Sequence, residues 1–140
     1  MNDLQQARTT LAQGGYTCVL CHGSEILTDS RRGVKPLLEL LESGSDYTGF
    51  SAADKVVGKA AAHLYCLLGI SAIYAGVISQ PAKAVLEQNG IPVEYGTLVP
   101  AIRNRTDTGL CPMESAVWEL DSHEDARQAI VSTLRNLQKS

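Results

Sequence analysis

The sequence predicts a three-layer α/β/α sandwich built on a mixed sheet with an N-terminal β-hairpin. Two strand-like runs, residues 16–22 (YTCVLCH) and 25–28 (EILT), flank Gly23-Ser24, a turn pair suited to a hairpin. After them, apolar runs of strand length alternate with stretches of helical spacing, the pattern of a sheet covered by helices on both faces. The 140 residues, 44% hydrophobic and 19% charged, suffice for one core, so residues 1–140 are read as a single domain.

Each element has a local reason. Residues 3–13 read as a helix stopped by Gly14-Gly15. Residues 34–42 (VKPLLELLE) bring Val34, Leu37, Leu38 and Leu41 to one helical face, closed by Gly44. A loop follows over 45–50. Ser51-Ala52-Ala53-Asp54 has the form of a capping box, Ser51 at N-cap and Asp54 at N3, and opens a long apolar helix over 52–68 that Gly69 ends. Residues 71–78 (SAIYAGVI) suit a buried strand. Ser79-Gln80-Pro81 starts a helix over 80–89, stopped by Gly90. Residues 92–99 (PVEYGTLV) form the next strand, and 100–110 a polar loop. Cys111-Pro112-Met113-Glu114 opens a helix reaching about Leu120. Ser122-His123-Glu124-Asp125 caps a last helix with Ala126, Ala129, Ile130, Leu134 and Leu137 on one face. Tyr65, Tyr74 and Trp118 read as core.

Composition narrows the partners. The net charge of −3 argues against a nucleic-acid polymer, since the basic cluster at Arg103, Asn104 and Arg105 is two charges and not a stripe. The longest apolar run, 60–75, is broken by His63, Gly69 and Ser71 and is too short to span a bilayer, so no membrane partner is expected. The opening MNDLQQ has no charged stretch followed by an apolar one. A cytoplasmic location is expected, with Cys18, Cys21, Cys66 and Cys111 as reduced thiols.

Cys18-Val19-Leu20-Cys21-His22 matches the haem-attachment spacing, but on a strand Cys18 and Cys21 point to opposite faces, so a core strand is expected and no cofactor. His63 and Cys66 share a helix face and could meet Cys111 around a metal. A cysteine on an apolar helix is ordinarily core, and no metal is expected.

The layout of hairpin, helix, strand, helix and strand over roughly residues 16–99 resembles the cytidine-deaminase-like fold. Val57-Gly58-Lys59-Ala60-Ala61-Ala62, Asn104-Arg105 and Gly109-Leu110-Cys111-Pro112-Met113-Glu114 resemble an uncharacterised conserved bacterial protein family, a domain of unknown function placed in that superfamily. The resemblance implies a fold and no established activity. Zinc deaminases carry a His or Cys with a Glu two residues on at one helix start, and P-C-x-x-C at the next. Here those slots read Gly58-Lys59-Ala60-Ala61 and Pro81-Ala82-Lys83-Ala84, and alanine and lysine cannot hold zinc.

Helix N-termini and two lysines, Lys59 and Lys83, are expected where the metal would have been, a setting for a phosphate or carboxylate. Against this, either lysine could extend to solvent. Gly58 leaves room beside Lys59. Cys111 opens a helix, where a thiolate is favoured, although Glu114 could instead cap that helix through the Cys111 backbone N–H. The function expected is binding or conversion of a small anionic ligand, nucleotide-like by the resemblance. Lys59, Cys111, Glu114 and Asp54 are its candidate catalytic residues, and Gly58, Lys83, Asn104 and Arg105 its candidate binding residues. Asp54 also has a plain capping role. The alternative is a non-catalytic homo-oligomer, a dimer being the commonest symmetry.

Overall fold

The computed structural model describes residues 1–139. Its elements are α1 (Asp3–Gln13), β1 (Cys18–His22), β2 (Glu25–Asp29), α2 (Lys35–Glu42), β3 (Ser51–Val57), α3 (Lys59–Leu68), β4 (Ala72–Ser79), α4 (Gln80–Gln88), β5 (Val93–Val99), α5 (Pro112–Val117) and α6 (His123–Lys139). Five strands form one sheet in the order β2-β1-β3-β4-β5. β1 runs antiparallel to both β2 and β3, and β3, β4 and β5 are parallel. The sheet is therefore mixed and begins with the expected hairpin.

Alternation along β1 sorts the two faces. Val19 and Cys21 face α1, whose Ala7 and Leu11 cover them together with Ala53. Cys18 and Leu20 face the main core, filled by α2, α3 and α4, with α5 and α6 packed on α3. Helices thus lie on both faces and make three layers. Leu64 and Tyr65 of α3 are fully buried in that core. Each such side chain is worth roughly 2–3 kcal/mol of burial.

One element departs from the sequence reading. Residues 52–68 are not a single helix: β3 occupies Ser51–Val57, Gly58 breaks the chain, and α3 starts at Lys59. Ser51 and Asp54 form no capping box, since both lie in a strand. Two neighbouring strands claim this segment. Ala53 pairs with Val19 on one side and with Tyr74 on the other, so ladder bonds on both edges outweigh the helical preference of its alanines. Trp118 also departs, being 37% exposed and not core.

The parallel strands finish together. Val57 pairs with Ile78, and Ser79 with Val99. α3 and α4 leave directly from these ends, and the 100–111 segment leaves from β5. Ligands of open α/β sheets bind in the crevice at such ends.

Two features of β4 and β5 matter later. A methyl added to Gly76 would lie 2.7 Å from the Lys55 carbonyl oxygen, and one added to Gly96 would lie 2.9 Å from the Gly76 carbonyl oxygen. β5 is an edge strand whose residues Glu94 to Leu98 are all exposed.

Candidate functional site

The first amides of a helix have no partner within it. α3 begins at Gly58 with extended backbone and no side chain to cap it. Glu114, from the first turn of α5, supplies the acceptor instead. Its Oε1 accepts from the Lys59 backbone N–H at 2.6 Å, and its Oε2 accepts from the Ile102 N–H at 2.7 Å. The residue is 1% exposed, so a buried carboxylate spans two main-chain donors and faces the positive end of α3. Glu114 does not cap its own helix: the Cys111 N–H donates to the Ile102 carbonyl instead. Gly58 is explained by this arrangement. A Cβ there would meet Ile102 Cγ1 at 3.1 Å and Glu114 Oε1 at 3.2 Å. The anion expected at this helix start is thus the protein's own.

Lys59 does not extend to solvent. It is 7% exposed, and its Nζ donates to the Trp118 carbonyl at 2.9 Å. An ammonium has three donors. Among the described residues, Lys59 forms no side-chain ion pair, and its one side-chain hydrogen bond is to the Trp118 carbonyl.

The other sequence candidates scatter. Lys83 does not converge on Lys59. It pairs with Glu87 one turn along α4, Nζ to Oε1 at 3.0 Å. Asn104 is spent on its loop: its Oδ1 accepts from the Thr108 N–H and its Nδ2 donates to Thr108 Oγ1. Arg103 and Asp107 close the same loop with an ion pair at 2.8 Å, and Arg105 is exposed. Cys111 is the half-buried N-cap of α5, and its side chain forms no capping bond.

Asp54 belongs to a different cluster, three residues short of the strand end. Its Oδ2 accepts from Tyr65 Oη at 2.6 Å, and Tyr65 Oη lies 3.2 Å from Cys18 Sγ. The tyrosine hydrogen is committed to the carboxylate, so Cys18 S–H donates to the tyrosine oxygen. Burial lifts the Asp54 carboxyl to about 6, against the pull of Tyr65 and of the backbone amides of Val56 and Lys55. Burial first, then Asp54 and Asp29, raise the Cys18 thiol. Cys18 is therefore an inert core thiol, although it lines a small cavity of about 130 Å³ with Asp29, Pro36 and Glu39.

A further polar chain had no signal in the sequence. His63 of α3 is fully buried, with its Nδ1 2.7 Å from Nδ1 of His123, and His123 Nε2 lies 3.0 Å from Asn89 Oδ1. Among the described residues His63 Nε2 has no partner at full hydrogen-bonding geometry, although the Leu120 carbonyl lies close enough to the ring to favour its protonation. Burial, with His123 and Lys59 beside it, pushes the His63 imidazole down to about 4. These residues are 60 positions apart at their widest link, beyond any local motif.

Cys66 does not join them: its thiol reaches toward the Val85 carbonyl, and burial raises it to about 11. Zinc, which the deaminase resemblance would imply, does not fit. The helix starts offer Lys59, Ala60 and Ala61, and Pro81, Ala82 and Lys83, with no three donors that could take a metal. Among the described residues no group of three His, Cys, Asp or Glu could hold one elsewhere. Among the described residues no helix is long and apolar enough to cross a membrane.

Comparison with known proteins agrees with this architecture. A family model described as "Domain of unknown function (DUF1893)" matches residues 6–134. The chain is similar to the crystal structure of a DUF1893 family protein from Thermotoga maritima, at 28% identity and a TM-score of 0.86, over 94% of this chain and 89% of that one. No curated protein matches the chain.

Proposed function

We propose that this chain, which belongs to the DUF1893 family, binds a small anionic ligand at the carboxyl ends of β3, β4 and β5. One observation carries the reading. Lys59 holds a buried ammonium with a single protein acceptor, the Trp118 carbonyl. Lysines are rarely buried unless paired. The two remaining N–H donors of Lys59 suit a phosphate or carboxylate oxygen. Glu114 defines how the ligand is held. It already fills the α3 amide and lies beside Gly58, so the ligand's charge is met by the ammonium and not by the helix end. Cys111 stands at the start of α5, three residues before Glu114. A nucleotide-like ligand is the class added by the cytidine-deaminase-like resemblance, which the sheet order and the α3 and α4 crossovers support.

The test is an amide NMR titration with inorganic phosphate and, separately, a nucleoside 5′-monophosphate. Saturable shifts are expected at residues 58–60, 102 and 111. In Lys59→Met, confirmed folded by its spectrum, binding should weaken by about 5- to 150-fold, the 1–3 kcal/mol range of a charge-assisted hydrogen bond. Absence of saturable shifts at these amides for both probes, or equal binding by Lys59→Met, would overturn the reading.

The β5 edge favours a second reading, a non-catalytic homo-oligomer. Tyr95 and Leu98 are 41% and 37% exposed on that strand. Exposed apolar edges are usually covered. Sedimentation equilibrium would then give a dimer that Leu98→Lys dissociates, whereas a monomer at high concentration would remove this reading.

A further inference from the structure

One face of the sheet is only half covered. Parallel strands are ordinarily buried on both faces. β3, β4 and β5 are parallel, yet among the described residues α1 is the one helix on the face away from α3, and it packs mainly on β1 and β3. Beside it, over β4, a trough of about 540 Å³ stays open, walled on the helix side by Leu11 and Ala12. Small-molecule sites span about 300–1,000 Å³. This trough lies across the sheet from α3, whose first turn carries Lys59.

The polar groups around it are donors. The Arg8 guanidinium lies over the Tyr74 ring, 4.1 Å from its centre, and its Nη1 donates to Glu94 Oε1 at 2.8 Å. Its other side-chain N–H groups have no acceptor among the described residues. Lys55 and Tyr74 line the same trough, and among the described residues neither Lys55 Nζ nor Tyr74 Oη hydrogen-bonds to a protein group. No carboxylate lines the trough, and Glu94 at its edge already holds Arg8. Lys55 therefore leaves one positive charge unanswered.

The floor is bare backbone. A Cβ on Gly76 would meet the Lys55 carbonyl oxygen at 2.7 Å. A Cβ on Gly96 would meet the Gly76 carbonyl oxygen at 2.9 Å and Tyr74 Oη at 3.5 Å, so it would stand on this same face. The strand packing itself excludes a side chain at both positions. A flat strip of peptide thus crosses β4 and β5, with Tyr74 and Val77 on either side of it along β4.

We infer that this trough binds a planar aromatic monocarboxylate. The ring lies on the Gly76 strip against Val77, where a thicker aliphatic group would stand clear of the floor. The carboxylate accepts from Lys55 Nζ and Tyr74 Oη, and Arg8 closes the end of the trough above Tyr74. One negative charge answers the one cation that Glu94 does not. The site shares no residue with the one proposed around Lys59 and does not depend on it.

Naphthalene-2-carboxylate is the probe, titrated near pH 7 into the ¹⁵N-labelled full chain with amide shifts as the readout. Saturable shifts are expected at Lys55, Gly76, Val77 and Gly96. Lys55 is exposed, so Lys55→Met should fold as the parent does. It should weaken binding about 5- to 50-fold, as for loss of a charge-assisted hydrogen bond. Naphthalene-2-methanol keeps the ring without the charge and should bind about tenfold more weakly or worse. Lys59→Met should bind the probe as the parent does, which separates this site from the other. Absence of saturable shifts at these amides, an alcohol that binds as tightly as the acid, or parent-like binding by Lys55→Met would overturn the inference. So would a loss in Lys59→Met equal to that in Lys55→Met.

Discussion

Replacing Glu114 with Gln isolates the contact that fastens α5 and the β5–α5 segment to the start of α3. In the parent, two carboxylate oxygens each receive one buried main-chain N–H, at 2.6 and 2.7 Å. Glutamine keeps one acceptor oxygen and turns an NH₂ group toward the second N–H. One buried donor is then left without an acceptor, at about 1–3 kcal/mol. Loss of the negative charge at the helix start adds about 0.3–1 kcal/mol. The sum is about 1.3–4 kcal/mol. At roughly 3–4 °C per kcal/mol for a chain of this size, melting should fall by about 4–16 °C. Urea denaturation at pH 7 reads this directly, with an unchanged m-value indicating the same folded state. Glu87→Gln serves as the control. Its partner Lys83 is one turn away on an exposed face, so its effect should stay within about 0.5 kcal/mol. A Glu114→Gln loss no larger than that of Glu87→Gln would refute the argument that the carboxylate closes the α3 end.

Other outcomes follow from the same geometry. Gly58→Ala should cost about 1 kcal/mol by crowding Glu114 Oε1 and Ile102, and the penalty should shrink in a Glu114→Ala background, measured as a double-mutant cycle. Lys59→Ala should destabilise by more than a surface lysine would, about 1–3 kcal/mol in urea denaturation, because its stem is buried and its Nζ satisfies the Trp118 carbonyl. Asp54 titrates near 6 when folded against 3.8 ordinarily, so the folded state holds its proton more tightly and stability falls as pH rises between these values. At about 1.4 kcal/mol per unit the effect is on the order of 3 kcal/mol, complete above pH 6 and absent below 4. His63 runs the other way: its imidazole is depressed from 6.5 to about 4, so its contribution is present above pH 6.5 and lost as pH falls toward 4. Asp54→Asn should therefore unmask a steeper acid loss between pH 6.5 and 4 than the parent shows. Parallel urea midpoints of parent and variant across that range would contradict it.

Much of the architecture was legible because its signals are local. Gly23-Ser24 marks the hairpin, Ser79-Gln80-Pro81 the start of α4, and Gly69 and Gly90 the ends of two helices. β3 was misread because Ser-Ala-Ala-Asp carries little strand preference of its own. Its state is decided by two neighbouring strands that lie elsewhere in sequence. The site was half legible. Lys59 and Gly58 were singled out by their small neighbours, and Glu114 by its place in the first turn of α5. Their meeting spans 55 residues and inverts the expectation, since the carboxylate fills the anion position itself. Asp54 was explained by a cap that does not exist, while its bond to Tyr65 depends on α3 lying over β3. The chain from His63 through His123 to Asn89 joins α3, α6 and the cap residue that ends α4, so no window of sequence contains it.

Gly76 and Gly96 carry a lesson for mutational drift. Exposure is the usual guide to which positions can vary freely, and Gly96 lies on an exposed edge strand. Yet the space that its side chain would take is filled by a neighbouring carbonyl oxygen, and the same holds for Gly76 one strand inward. Backbone cannot rotate away as a flexible side chain can. In a saturation survey both positions should reject even alanine, as a core site would, while Tyr95 and Thr97 on either side of Gly96 accept polar replacements. Within the family, β5 should then read as a variable strand with a fixed centre.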